Sequence, residues 1–161
     1  MLAALFKKGY HNLTGTDYSK PSLTLAAAVL QKHGCTCARL EEDDMTDSQL
    51  AGTYDVLLDK GTYDAVGLSR DGYNAQHAYR QAAAGLLLPA GLLIITSCNS
   101  TVEELQQAFE GQSLPGHVEQ HGESVQVQSC FQYQDHVRTY PKFKFGGIEG
   151  SHHCTVAFLR K

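Results

Sequence analysis

The sequence predicts an α/β domain whose mostly parallel sheet ends in an antiparallel hairpin, and three observations predict it. Short apolar segments bounded by turn residues alternate along the chain with stretches of helical apolar spacing. The runs at 54–58 and 92–96 are nearly continuous in hydrophobic residues, the character of strands in a parallel sheet covered on both faces. Residues 124–134 instead alternate strictly, with Val125, Val127, Phe131 and Tyr133 on one face and Gln126, Gln128, Gln132 and Gln134 on the other, as a half-exposed antiparallel strand does.

The elements follow in order. Residues 2–8 read as a helix stopped by Gly9, and 13–17 as a short strand ending on Asp17. Ser19 and Pro21 supply a cap and an early-turn proline for a second helix. Leu23, Ala26, Ala27 and Leu30 form its apolar stripe, and Gly34 sits where a C-terminal cap belongs. A weak strand at 38–41 leads into the acidic run Glu41-Glu42-Asp43-Asp44, and 54–58 is a buried strand ending at Asp59 with a polar loop after it. Ala75, Tyr79, Ala82, Ala83 and Leu86 mark a further helix, Pro89-Ala90-Gly91 a turn, and 92–96 a strand whose end carries Ser97, Cys98 and Asn99. Ser100 and Glu103 have capping-box spacing ahead of a helix with Val102, Leu105 and Phe109 on one face. A turn at Gly146-Gly147 precedes a last apolar strand at 154–159.

The chain's 161 residues suit one domain over 1–161, large enough to bury roughly 68–70% of the surface its unfolded form exposes. A net charge of -4, with Lys and Arg scattered, offers no basic stripe and argues against nucleic acid, leaving a basic protein partner open. No apolar run nears the ~20 residues that cross a bilayer, and the N-terminus lacks the order of a signal peptide, so a soluble cytoplasmic protein is expected. Five cysteines, an odd number, read as reduced thiols. Cys35 and Cys37 form C-x-C, and His152, His153 and Cys154 adjoin, but neither has the spacing of common zinc sites, so no metal is expected.

Ligands of open α/β sheets lie outside the carboxyl ends of the strands, which singles out Asp17, Asp44, Asp59 and the 97–99 segment. A carboxylate such as Asp17 can accept both hydroxyls of a ribose, or it can cap the helix that follows. Asp43 and Asp44 could accept the exocyclic amine of adenine, or belong to a solvated acidic face.

Four stretches carry a resemblance: LTGTDYS at 13–19, YDVLLDKGTYDA at 54–65, LLIITSCNST at 92–101 and KFKFGGIEGS at 142–151. Together they resemble the elongation factor 1-alpha lysine methyltransferases, class I enzymes with a Rossmann-like sheet that use S-adenosylmethionine. The resemblance implies protein-lysine N-methylation of elongation factor 1-alpha, with Asp17 on the cofactor ribose and Asp44 facing adenine. It places Asp59 beside the methionine end of the cofactor and the incoming lysine, with Tyr63 a second candidate for positioning that lysine and a packing aromatic by type. Lys60, Gly61, Thr62, Asn99, Phe145, Gly146 and Gly147 would shape the substrate mouth. The tips of successive strands would thus meet around one adenosyl group.

Family members carry a first strand and a glycine loop that nothing here matches. The resemblance therefore implies a sheet with its first strand absent, and weak cofactor binding or none by this chain alone. It leaves two other readings open: an interaction protein without catalysis, and a methyltransferase for small molecules. A nicotinamide dehydrogenase would share Asp17 but would not account for the DKGT and FGG segments.

Overall fold

A computed structural model describes residues 1–111, 129–138, 142–145, 148–151 and 153–161. The chain divides into two compact units, Met1–Leu50 and Ala51–Lys161.

In the first unit, α1 (Leu2–Lys7) is followed by β1 (Thr14–Asp17), α2 (Lys20–Lys32) and β2 (Arg39–Glu42). The strands pair in parallel from Thr14 against Arg39 to Asp17 against Glu42, so their carboxyl ends finish side by side. Helix α2 has its proline in the first turn, where the missing N–H costs nothing. It ends as the glycine predicts. Gly34 takes φ +66, its N–H donates to the carbonyl of Gln31, and the next N–H, of Cys35, donates to the carbonyl of Leu30. These two bonds form a Schellman motif, which a residue with a side chain would strain at the glycine position.

The second unit contains β3 (Tyr54–Lys60), α3 (Thr62–Gly67), α4 (Gly72–Leu86), β4 (Leu87–Ser97), α5 (Val102–Glu110), β5 (Phe131–His136), β6 (Lys142–Phe145), β7 (Ile148–Ser151) and β8 (Cys154–Arg160). Four strands make one sheet in the order β3-β4-β8-β5, and β6 pairs antiparallel with β7 apart from it. β3 and β4 are parallel, and β8 runs antiparallel between β4 and β5. The expected change from parallel to antiparallel pairing therefore falls at β8, the last strand in sequence but an interior one in space.

Register puts Leu93, Ile95, Ser97, Val156, Phe158 and Phe131 on one face, all buried. Three helices cover it through aromatic contacts. Phe109 of α5 stacks on Phe158 with ring centroids 4.8 Å apart and meets Phe131 edge-on, while Tyr63 of α3 touches both Phe109 and Tyr79 of α4. The opposite face carries Leu92, Ile94, Ala157 and Leu159 half-buried, with Val56 44% and Leu58 36% exposed. Of the two faces that the run at 54–58 was expected to bury, only one is closed by described elements of this unit, because α3, α4 and α5 all pack on the same side.

Three local expectations change. The turn at Pro89-Ala90-Gly91 is a bulge inside β4: Tyr54 pairs with Leu87 and Val56 with Leu92, so 88–91 are looped out, and α4 runs into the strand with no connector. The capping box forms at Thr101 and Glu104, one residue later than Ser100 and Glu103. The segment after Asp59 is helical (α3) rather than a plain loop. Of the alternating stretch, Phe131 is buried and Gln132 and Gln134 are exposed as expected; 124–128 lie outside the described residues.

Candidate functional site

The carboxyl ends of β1 and β2 bring two aspartates together. The backbone carbonyl of Asp17 accepts the N–H of Asp43 at 3.3 Å. Half-buried Asp17 accepts the Ser19 N–H on Oδ1 at 2.8 Å, which anchors the entry to α2. This bond goes to the N-cap residue itself, so Asp17 braces the turn ahead of α2 without capping the helix's own N–H groups, and its other oxygen has no partner among the described residues.

Asp43 is 8% exposed, accepts the Gln49 N–H at 2.8 Å on Oδ1, and keeps Oδ2 buried with no partner among the described residues. A buried acceptor left unsatisfied costs about 1–3 kcal/mol, more for a charged group. Asp44, by contrast, is exposed and occupied by its own turn: Oδ1 accepts from both the N–H and the hydroxyl of Thr46 at 2.8 Å. Of the two neighbours, Asp43 is the one whose unpartnered oxygen is buried, whereas the second oxygen of Asp44, also without a partner among the described residues, belongs to an exposed side chain; that distinction depends on burial and cannot be read from an acidic run.

In the second unit the rim is formed by the ends of β3 and β4, where Lys60 lies opposite Thr96. Asp59 is 8% exposed and receives three donors: the N–H of Thr62 at 2.9 Å, the N–H of Tyr63 at 3.0 Å and the Tyr79 hydroxyl at 2.5 Å. Its carboxylate therefore caps α3 from outside the helix, on groups the first turn leaves without intrahelical partners. Burial pushes the Asp59 carboxyl up, against the pull of the three donors, and burial likewise raises the Tyr79 hydroxyl well above its ordinary value.

Gly61 occupies the N-cap of α3 at φ +86, with nothing within 4 Å of where a Cβ would stand. Glycine is needed there for backbone conformation, not for room. Tyr63 is 3% exposed inside the aromatic cluster, and its hydroxyl accepts from Arg80 at 3.3 Å. That is the packing role its type suggests. Burial raises its hydroxyl too, with Arg80 working against it.

Two further residues organise this rim. Ser97, fully buried at the end of β4, donates its hydroxyl to Asp64 at 2.5 Å, and the other oxygen of Asp64 accepts the Cys98 N–H at 2.8 Å. The Ser97 oxygen in turn accepts the N–H groups of Asn99 and Ser100. Asp64 thus ties α3 to the loop after β4. Lys60, Thr62 and Asn99 remain with exposed side chains on this braced scaffold. Asp64 stands in the motif 54–65, but its partner lies 33 positions away, so no local pattern reveals it. Tyr79 is likewise a long-range partner that helical spacing marks only as core. Gly146, Gly147 and the side chain of Phe145 lie outside the described residues.

A family model described as a methyltransferase domain matches residues 2–147. The chain is 33% identical over 160 residues to "EEF1A lysine methyltransferase 2" of Danio rerio, covering 98% of this chain and 60% of that protein. It is 30% identical over 155 residues to "Protein-lysine N-methyltransferase EFM4" of Saccharomyces cerevisiae, covering 92% and 60% respectively. The chain thus spans about 60% of the length of these curated relatives. Among solved structures, a ribosomal protein L11 methylase from Lactobacillus delbrueckii subsp. bulgaricus superposes with TM-score 0.62 at 16% identity, covering 99% of this chain and 64% of that one. The O-methyltransferase region of StiE superposes with TM-score 0.65, also at 16% identity, covering 99% and 63%. At such identity these two establish the Rossmann-like fold alone.

Proposed function

Because this chain belongs to the methyltransferase-domain family, we propose that it serves as an S-adenosylmethionine-dependent protein-lysine N-methyltransferase whose substrate is elongation factor 1-alpha. The observation that carries the reading is identity of 30–33% over nearly the whole chain to proteins named as lysine methyltransferases.

The residues of the first unit fit an adenosyl group. The unpartnered Oδ2 of Asp43 would accept a donor such as the adenine amine, the role first expected of Asp44, and the free oxygen of Asp17 would accept a ribose hydroxyl. When bound, S-adenosylmethionine supplies an electrophilic methyl group on a sulfonium. The chain then has to align a neutral amine with it, since alignment alone can lower such a barrier by about 7–11 kcal/mol.

Asp59 spends its oxygens on Thr62, Tyr63 and Tyr79, so its proposed role is to hold the 59–62 turn in place. Tyr63 supports the same turn through its N–H, which donates to Asp59, while its ring packs on Tyr79 and Phe109. Lys60, Thr62 and Asn99 are the exposed groups that would contact the substrate. A lysine with ordinary pKa near 10.4 must shed its proton first, and a cation such as Lys60 close to it disfavours the charged form.

The test is methyl transfer. The protein isolated from its host, incubated with elongation factor 1-alpha and cofactor carrying a labelled methyl group, is expected to label lysine. Label that appears only on small-molecule acceptors, or capture of the factor without transfer, would overturn the proposal.

A further inference from the structure

The first unit holds a cluster that the methylation reading does not use. Cys35 and Cys37 bring their sulfurs to 4.0 Å, and Nδ1 of His11 lies 3.9 Å from the Cys37 sulfur. We propose that Cys35 and Cys37 form a redox-active dithiol that closes to an intramolecular disulfide by exchange with a low-molecular-weight disulfide, with His11 as the proton acceptor.

The geometry follows from the sequence. Cys35 is the residue just past Gly34 in the Schellman motif, where an apolar side chain normally folds back on the helix, and it is 5% exposed. Cys37 is two residues further and half-exposed. On its far side the chain is pinned by the Arg39 N–H, which donates to the carbonyl of Leu13 at the start of the β1–β2 pairing. That pairing brings the entry to β1, and so His11, beside the entry to β2. The His11 ring is held edge-on against Phe6, with centroids 5.5 Å apart. A helix cap and a strand pairing therefore hold the C-x-C between two fixed points.

Desolvation, and then the Cys35 thiol beside it, push the Cys37 thiol up. Attack accordingly needs a base within reach, which His11 provides. The Cys37 thiol passes its proton to His11, and its sulfur attacks one sulfur of the external disulfide, forming a mixed disulfide and releasing one thiolate, which takes up a proton. Cys35 then attacks the Cys37 sulfur, forms the internal bond and releases the second thiol. Two protein thiols are oxidised and one disulfide is reduced to two thiols. Closure needs the sulfurs to move from 4.0 Å to about 2.05 Å, within the compass of side-chain rotation. Exposed Cys130 has no thiol neighbour among the described residues and would stop at the mixed disulfide, whereas Cys98 lies close enough to Cys154 to interact with it.

Treatment of the whole protein with oxidised glutathione, followed by alkylation, trypsin digestion and mass spectrometry, tests this. Residues 33–39 form one tryptic peptide that contains both cysteines. It is expected two hydrogens lighter and free of glutathione, while Cys130 carries an adduct. In Cys35→Ser, Cys37 is expected to retain glutathione. In His11→Ala, closure is expected to slow about tenfold or more. A stable glutathione adduct on Cys37 of the unaltered protein, or both thiols still alkylatable after Cys130 has reacted, would overturn the dithiol. An unchanged rate in His11→Ala would remove His11 as the base.

Discussion

Replacing Tyr79 by Phe deletes one oxygen and leaves the ring that packs 5.2 Å from Tyr63. What is lost is the hydroxyl donor to Asp59, between two residues that are 2% and 8% exposed. A hydrogen bond to an ionised acceptor contributes about 1.5–3 kcal/mol, so the expected loss of stability at neutral pH is about 2 kcal/mol. The loss should depend on pH. Burial already raises the folded-state Asp59 carboxyl, so the stability associated with its protonated form is complete below the unfolded carboxylate range and is lost as pH rises through the folded value. Removing the Tyr79 donor, one of the groups pulling that value down, extends the window upward. The deficit of Tyr79→Phe should therefore grow as pH rises from acid and level off towards neutrality. Urea denaturation followed by far-ultraviolet circular dichroism at several pH values measures it. In an Asp59→Asn background the same change should cost less than about 1 kcal/mol, since the acceptor is neutral. A neutral-pH loss below about 0.5 kcal/mol, the range of an ordinary surface substitution, would refute the claim that Asp59 is held by Tyr79.

Three other substitutions have defined outcomes in the same denaturation assay. Gly61→Ala should cost about 1–2 kcal/mol through its positive φ, and Gly61→Asn less, because asparagine tolerates that region; equal losses would point to crowding instead. Asp43→Asn should leave stability unchanged or raise it by about 1 kcal/mol, since it removes a buried charge with an unpartnered oxygen, and a clear loss would assign Asp43 to structure rather than to a ligand. Thr101→Ala should cost about 1 kcal/mol by dissolving the capping box, whereas Ser100→Ala at that helix start should leave the box intact.

Much of the backbone was legible in local chemistry. Gly9 and Gly34 end their helices where glycine allows a left-handed residue, and the alternation of 131–134 assigns Phe131 to the core. The misplaced capping box shows the limit of such reading. Ser100-x-x-Glu103 and Thr101-x-x-Glu104 are equally good patterns, and the choice between them is made by Ser97, whose oxygen takes the Ser100 N–H. Helix α3 escapes periodicity because it has only 6 residues and is capped by Asp59, before its own N-cap, which is itself held by the hydroxyl of a tyrosine 20 positions away. Burial separates Asp43 from Asp44 and Tyr63 from a substrate-facing role, and burial is a property of the packed chain. The strand ends were therefore readable as candidates, while the work each carboxylate does was not.

The most direct test of lysine methylation is made in the host. Deleting the gene and mapping every lysine of elongation factor 1-alpha by mass spectrometry should reveal a site that loses its methyl groups and regains them when the gene is restored. A methylation map identical in the presence and absence of the gene would contradict the account.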